Sequence, residues 1–324
     1  MSPKASPAVE IEVAGRSVRV SNPDRVYFPE IGATKRDLVD YYLAVGDGIV
    51  RALRDRPCMM HRYPDGLAGE KVHQKALPKG APDWVETVPV WFPRFRRTVH
   101  ELCVTDLAHV VWAVQMSTVE LHPWNSRRAD VERPDEWRID LDPMPEAGFD
   151  RVREVAAVVR ELLDELSITG YPKTSGGNGL HVYVRVRPDH DHADVRRAAL
   201  AFAREVERRA PDLVTATWWR KDRDPRAVFV DYNQNARDHT IAAAYSVRGT
   251  PRATVSCPIA WDEVADVAPA ELTIATVPER FSRLGDLHAG IDEVHHDLTP
   301  LLEWAERDEQ GGAADPGAGP EPGA

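Results

Sequence analysis

Asp140 and Asp142 stand one residue apart in the stretch WRIDLDP, residues 137–143, flanked by the strand-forming residues Ile139 and Leu141. Side chains at i and i+2 of a strand share a face, so the two carboxylates project together. Like charges that close repel, unless a cation sits between them or one is protonated. A hard divalent ion such as magnesium is the economical remedy, because it takes carboxylate oxygens. A third carboxylate, Asp231, ends the apolar run AVFVD. If that run is a strand beside the first, three acids converge at one rim. Two-metal phosphoryl or nucleotidyl transfer needs such a cluster. The Asp-x-Asp pattern alone also fits sugar-nucleotide transferases, phosphatases and plain surface strands.

The segment KTSGGNGLHVYV, residues 173–184, offers a second group. Ser175, Gly176, Gly177, Asn178 and Gly179 form a loop that leads into a strand. Its backbone N–H groups can cradle phosphate as a nest, while a tight turn is the plainer alternative. The spacing is not that of a Walker loop. His181 follows on the strand. After Asp231 comes YNQNARDHTIAAAYSVR, in which Gln234 and Asn235 are amides suited to orienting a substrate. Arg248 is suited to gripping a triphosphate through its forked donors. The HDH run at 190–192 and the pair His295–His296 read as exposed loop histidines.

These residues need a scaffold, and the pattern supplies one. RIDLD is a short strand. Residues 150–169 place Val152, Val155, Val159, Leu162, Leu163 and Leu166 on one helical face, with Gly170 as the stop. Residues 179–186 form a strand, 191–210 a helix and 227–232 a strand again. That order predicts a sheet with helices packed on it. Upstream, residues 8–20 alternate around an Ala-Gly turn as a hairpin, and residues 34–55, opening TKRD, and 105–120 have helical spacing.

A chain of 324 residues, 43% hydrophobic, can bury a sizeable core. No apolar run nears the roughly 18 residues that span a bilayer. The N-terminus lacks an apolar secretory core. Three cysteines, Cys58, Cys103 and Cys257, suit a reducing compartment. We expect a cytoplasmic protein with no membrane contact. The net charge of −11 argues at first against nucleic acid. Asp286–Ala324 carries −9 of it, however, which leaves −2 for the rest. A near-neutral body can still present a basic groove.

Taken together, LHPWNSRRADVERPDEWRIDLDP (121–143), KTSGGNGLHVYV (173–184) and VFVDYNQNARDHTIAAAYSVR (228–248) resemble the polymerase domain of bacterial ligase D, in the archaeo-eukaryotic primase superfamily. SNPDRVYFPEIGATKRDLVDYY and HQKALPKGAPDWV extend the resemblance to roughly residues 18–265. The form YNQNARD is similar to stand-alone actinobacterial relatives. The resemblance implies an α+β, primase-type catalytic fold with an RRM-like mixed sheet flanked by helices. It implies template-directed nucleotide addition in end-joining repair, with manganese favoured over magnesium and ribonucleotides often inserted. On this resemblance Asp140, Asp142 and Asp231 are the metal-binding catalytic acids. His122, Ser175 with the following glycines and Asn178, His181, Gln234 and Arg248 belong to the nucleotide site. Arg25 and Lys35 match the pair that grips a 5′-phosphate across a gap, and His73 and Lys75 stand where a template base is contacted. Gapped DNA, NTPs, Ku and a separate ligase are the implied partners. The expected division is an N-terminal subdomain (1–120) with the phosphate and template contacts, a catalytic subdomain (121–300) and a disordered acidic Gly/Pro-rich tail (301–324).

Two departures stand out. Asn178 occupies a position where the family usually has Lys or Arg, and Val72–His73 replaces an aromatic pair. No ligase motif of the K-x-D-G type is present. Three functions remain in view: a gap-filling polymerase, a DNA-end bridging module with a weakened nucleotide site, and a primase that starts chains de novo.

Overall fold

The computed structural model describes residues 7–313. The chain opens with a hairpin, β1 (Ala8–Val13) and β2 (Arg16–Ser21), then two short strands, β3 (Val26–Phe28) and β4 (Ala33–Thr34). The expected helix over 34–55 is two helices, α1 (Lys35–Ala44) and α2 (Gly46–Leu53), broken at Val45. Thr34 starts α1 through a capping box: its side chain accepts from Asp37 N–H while the Asp37 carboxylate takes the Thr34 N–H.

A first five-stranded sheet follows. It is built from β5 (Pro57–Arg62), β6 (Val72–Gln74), β7 (Thr87–Phe92), β8 (Arg97–Cys103) and, beyond helix α3 (Leu107–Gln115), β9 (Thr118–Pro123). The helix expected over 105–120 therefore ends early, and its last residues are strand. β9 pairs antiparallel with β5. A small hairpin, β10 (Ser126–Arg127) and β11 (Asp130–Pro134), leads into the second sheet.

That second sheet holds β12 (Glu136–Pro143), β13 (Tyr171–Thr174), β14 (Leu180–Arg185), β15 (Val214–Thr215) and β16 (Val228–Val230). Its order is β13-β14-β12-β16-β15. All neighbours are antiparallel except β15 and β16, so the sheet is mixed as expected. Helices α4 (Phe149–Glu165) and α5 (His192–Arg209) pack against it. Trp137, Ile139 and Leu141 of β12 join Val155, Val159, Leu163, Val195 and Phe202 in one buried core. Alternation then sends Arg138, Asp140 and Asp142 to the other face. The α4 stop is not Gly170: the helix ends at Glu165, Leu166 is its C-cap, and Ser167 takes the left-handed turn at φ 55°.

The expected division of the chain differs from the packing in two ways. A boundary at 120 falls inside β9, and Ala243, Tyr245, Val247, Val255 and Val277 return to complete the first core. Helix α6 (Val277–Leu284) lies in this returning segment. The acidic tail expected from 301 begins as helix α7 (Thr299–Gln310), whose Leu301 and Ala305 are buried. Residues 314–324 of that tail lie outside the described residues. His192 is likewise not an exposed loop residue: it is buried at the start of α5, with Nε2 against Val131 O at 2.9 Å.

Asn235 corrects a functional expectation. It is buried, and its amide pairs with β12 as another strand would. Oδ1 accepts from Arg138 N–H at 2.8 Å, and Nδ2 donates to Arg138 O at 2.8 Å. β16 pairs β12 only over Leu141–Pro143, so Asn235 satisfies the backbone further along the strand. We expect Asn235→Ala to cost about 2–4 kcal/mol in urea unfolding, because two buried backbone groups lose partners. A loss under about 1 kcal/mol would contradict this role.

Candidate active site

β12 and β16 set the three acids side by side. Asp140 and Asp142 leave the open face of β12, and the backbone N–H of Asp231 donates to Asp140 O at 2.8 Å. Asp231 caps the short 3-10 turn Tyr232–Asn235, its Oδ1 accepting from Asn233 N–H at 2.9 Å. The three carboxylates bring oxygens within 4.8 Å of one another. Asp140 is buried, Asp231 half-buried and Asp142 exposed at the rim. Pro143 ends β12 there.

Electrostatics sharpen the cluster. Burial, then the charges of Asp142 and Asp231, push the Asp140 carboxyl well above its ordinary range. Crowding by protein at the rim, then Asp231, raises Asp142 to about 6, although Arg223, Arg248 and Arg220 pull the other way. Asp140 Oδ1 is buried without a hydrogen-bond partner. His181 Nε2 approaches it to 3.3 Å. An orphaned carboxylate oxygen facing two more carboxylates fits a divalent ion, whose charge would remove the repulsion. The all-oxygen donor set suits magnesium or manganese.

A cleft of about 370 Å³ opens over these acids. His122, Ser175, Gly177, Asn178, His181, Gln234 and Arg248 all line it. The cleft thus brings together residues from separate segments of the sequence. The loop itself is tighter than a free nest: Ser175 Oγ accepts from Gly177 N–H at 3.1 Å and Gly179 N–H at 3.0 Å. Gly176 has φ 73°, and a Cβ there would lie 2.5 Å from Arg248 Cγ. At Gly179 a Cβ would meet Leu141 O at 2.6 Å, so glycine lets the loop lie directly on the acidic strand. Gln234 Nε2 donates to Asp231 Oδ2 at 3.2 Å.

Five residues escaped the sequence reading: Glu120, His61, Tyr63, Lys71 and Lys173. Glu120 sits at the centre of a donor cluster. Its Oε2 accepts from His122 Nε2 and Arg248 Nε, each at 3.0 Å. Its Oε1 takes Tyr63 OH at 2.9 Å and Lys71 Nζ at 3.1 Å. Burial opposes that charge, but His122, His61 and Arg248 hold Glu120 ionised. Burial drives His122 down to about 3, so it is neutral. Glu120 and His122 are i and i+2 on a strand, the same signal that exposed the aspartates. Lys173 lies buried beneath the loop, with Nζ 2.7 Å from His181 Nδ1, 3.0 Å from Ala242 O and 2.5 Å from Ser256 Oγ. A lysine in the strand YPKT was the available clue.

The remaining expected residues lie elsewhere. Arg25 is exposed, pairs with Asp65 at 2.8 Å, and lines a hollow of about 390 Å³ with Asn22 and Asp24. Lys35 is only 4% exposed, and its Nζ is spent on Ser21 O and Gln115 at 2.7–3.0 Å. Burial, then Arg25, lowers it to about 8. His73 and Lys75 line a groove of about 780 Å³ with Phe92, Phe95 and Arg97. Lys75 pairs with Asp238 and lies over the Phe92 ring at 4.6 Å.

The raised Asp142 pKa gives a signed pH dependence. A carboxyl raised on folding stabilises the metal-free chain below its unfolded pKa and loses that contribution as pH rises through about 6. Ion binding needs the deprotonated form. We expect metal-free thermal stability to fall between about pH 5 and pH 7 while the stabilisation by manganese grows. A manganese-induced shift that is larger at the lower pH would overturn the assignment.

The model of the LigD primase-polymerase domain matches residues 34–288. The multifunctional non-homologous end joining protein LigD of Mycolicibacterium smegmatis is 34% identical over 277 residues, which cover 85% of this chain and 36% of that protein. The LigD protein of Pseudomonas aeruginosa is 34% identical over 273 residues, 84% of this chain and 32% of its own length. The chain thus spans about a third of these relatives. Among solved structures, the polymerase domain of Mycobacterium tuberculosis ligase D in complex with DNA superposes with a TM-score of 0.79 at 29% identity, over 86% of this chain and 99% of that one. With its matching architecture and sequence, the chain belongs to the LigD primase-polymerase domain family.

Proposed function

We propose that the chain is a metal-dependent nucleotidyltransferase that adds nucleotides, with ribonucleotides preferred, at short gaps or broken DNA ends during non-homologous end joining. The observation that carries this reading is the cluster of Asp140, Asp142 and Asp231 under a cleft walled by Arg248 and the Ser175 loop. Relatives whose names state end joining, and a neighbour in complex with DNA, support the DNA substrate. In this reading a 5′-phosphate binds near Arg25, and a Ku-type protein and a separate ligase act on the same end. Among the described residues no helix is long and apolar enough to cross a membrane.

Asp140, Asp142 and Asp231 would hold two ions of manganese or magnesium. When bound, these supply charge that activates a hydroxyl and shields phosphate oxygens. The chain's own groups do the positioning. Arg248 and the Ser175 loop bind the triphosphate, Gln234 steadies Asp231, and His181, backed by Lys173, faces Asp140. The primer 3′-oxygen forms a bond to the α-phosphorus, and the bond to pyrophosphate breaks.

The direct test is fill-in of a short gap bearing a 5′-phosphate, with manganese or magnesium and with rNTPs and dNTPs in parallel. Incorporation should favour rNTPs with manganese and drop about a hundredfold or more in Asp142→Ala. Template-independent or metal-independent incorporation would refute the reading. Synthesis on single strands without a primer would instead identify a primase.

Asn178 favours the second reading, a DNA-end bridging module. It lines the cleft where a cation would meet phosphate. A lost charge-assisted contact is worth about 1–3 kcal/mol. Asn178→Lys should therefore lower the nucleotide KM about tenfold. An unchanged KM would remove Asn178 as the reason for weak nucleotide binding. Gap binding with no incorporation in either form would select the bridging module.

A further inference from the structure

We propose that His61, Glu120 and His122 form a second metal site, suited to zinc and distinct from the aspartate cluster. The strands β5 and β9 create it. His61 lies directly opposite Glu120 in their antiparallel register, and His122 follows Glu120 on the same face of β9. His122 Nε2 is 3.0 Å and His61 Nδ1 3.5 Å from the same oxygen, Glu120 Oε2. The three ligand atoms all lie within 4.8 Å of one another. A tetrahedral zinc site with bonds of about 2.0–2.1 Å has ligand-to-ligand edges of roughly 3.3 Å. The two measured separations bracket that edge.

A second observation points to a ligand. His61 is 7% exposed, and neither of its ring nitrogens has a hydrogen-bond partner. Buried polar groups are ordinarily satisfied, so an imidazole with two orphan nitrogens beside a carboxylate calls for an explanation. An ion would supply the missing partner. The His61 ring lies against His122 at 3.7 Å with 29° between planes. The rings must splay for both lone pairs to meet one ion. His61, held by no hydrogen bond, is the ring free to turn.

The donor chemistry separates the two sites. Two imidazoles and one carboxylate, with a fourth position left for water, form a zinc set, whereas three carboxylates suit magnesium or manganese. Arg248 and Lys71 oppose binding because both already contact Glu120. The site is therefore weaker than a structural zinc centre, and filling it draws Glu120 Oε2 away from Arg248. Since His122 and Arg248 also line the cleft over the aspartates, occupancy of one site bears on the other. None of this depends on the chain being a polymerase.

The test uses the full chain carrying Asp142→Asn, which weakens the aspartate cluster. After metal depletion it is equilibrated with zinc, and bound metal is measured by elemental analysis following gel filtration. We expect about one zinc per chain. Adding His61→Phe, which keeps a ring in the stack but removes both nitrogens, should weaken zinc binding at least about tenfold. Equal zinc in the two proteins, or no zinc in the first, would overturn the proposal. Cobalt gives a readout without touching His61: the intense visible bands of a four-coordinate ion support the site, and only the weak bands of a six-coordinate ion overturn it.

Discussion

Three carboxylates crowded at one rim repel each other, and much of the second sheet serves to hold them there. Asp140 and Asp142 cannot separate because they share a strand. Asp231 cannot withdraw because its own backbone N–H is bonded to Asp140 O. Asn235 pins the strand from one side, and the apolar face beneath, through Ile139 and Leu141, is locked under α4 and α5. The core stabilises the sheet, and part of that stability offsets the repulsion. A site so strained in its charges is set up to bind an ion without rearranging, which is what preorganisation means in energetic terms.

The first sheet contributes the opposite charge. Glu120 collects Arg248, Lys71, His122 and Tyr63 around one carboxylate. An arginine aimed at three aspartates would otherwise collapse onto them. Glu120 and the Ser175 carbonyl, 2.5 Å from the guanidinium, hold it at the cleft wall. The cleft is thus a junction between two sheets, one bearing acids and the other restraining cations. The loop between them stays narrow because Gly176 and Gly179 admit Arg248 and Leu141 at distances no side chain would allow.

How much of this was legible depended on the kind of pattern. Strand alternation exposed the aspartates, and helical spacing gave α4 and α5 within a few residues. The Ser175 loop, Gln234 and Arg248 were recognised as polar residues near a chemical motif. Asn235 was misread for the same reason, because an amide that mimics strand pairing has no local signature. Lys35 belongs to this class as well: a lysine buried on carbonyl oxygens looks like any other until the fold is known. Glu120 and His122 repeat the i, i+2 signal of the aspartates, but LHPW drew the reading to the histidine alone. The tail failed at its start, since Leu301 and Ala305 bury a helix within an otherwise acidic stretch.

Net charge misleads for a related reason. Most of the excess acid lies after residue 285, yet within the described residues much of it is already paired. Asp286 meets Arg51 at 2.8 Å, Asp292 meets Arg127 and Arg185 at 2.7–2.8 Å, and Asp297 meets Arg187. On α7, Glu309 takes Arg197 of α5 at 2.6 Å, and Asp308 faces Arg208. The partners of Asp297, Glu309 and Asp308 lie just past β14 and on α5, and α5 covers the sheet face opposite the acids. Paired and screened, such charges act over little more than a Debye length, about 8–10 Å in ordinary salt. A phosphate brought to the cleft would meet the local charge, set by Arg248, Arg220 and Arg223 against the three aspartates. Ions bound at the cluster would turn that local balance positive, so an acidic chain can present a phosphate-binding cleft.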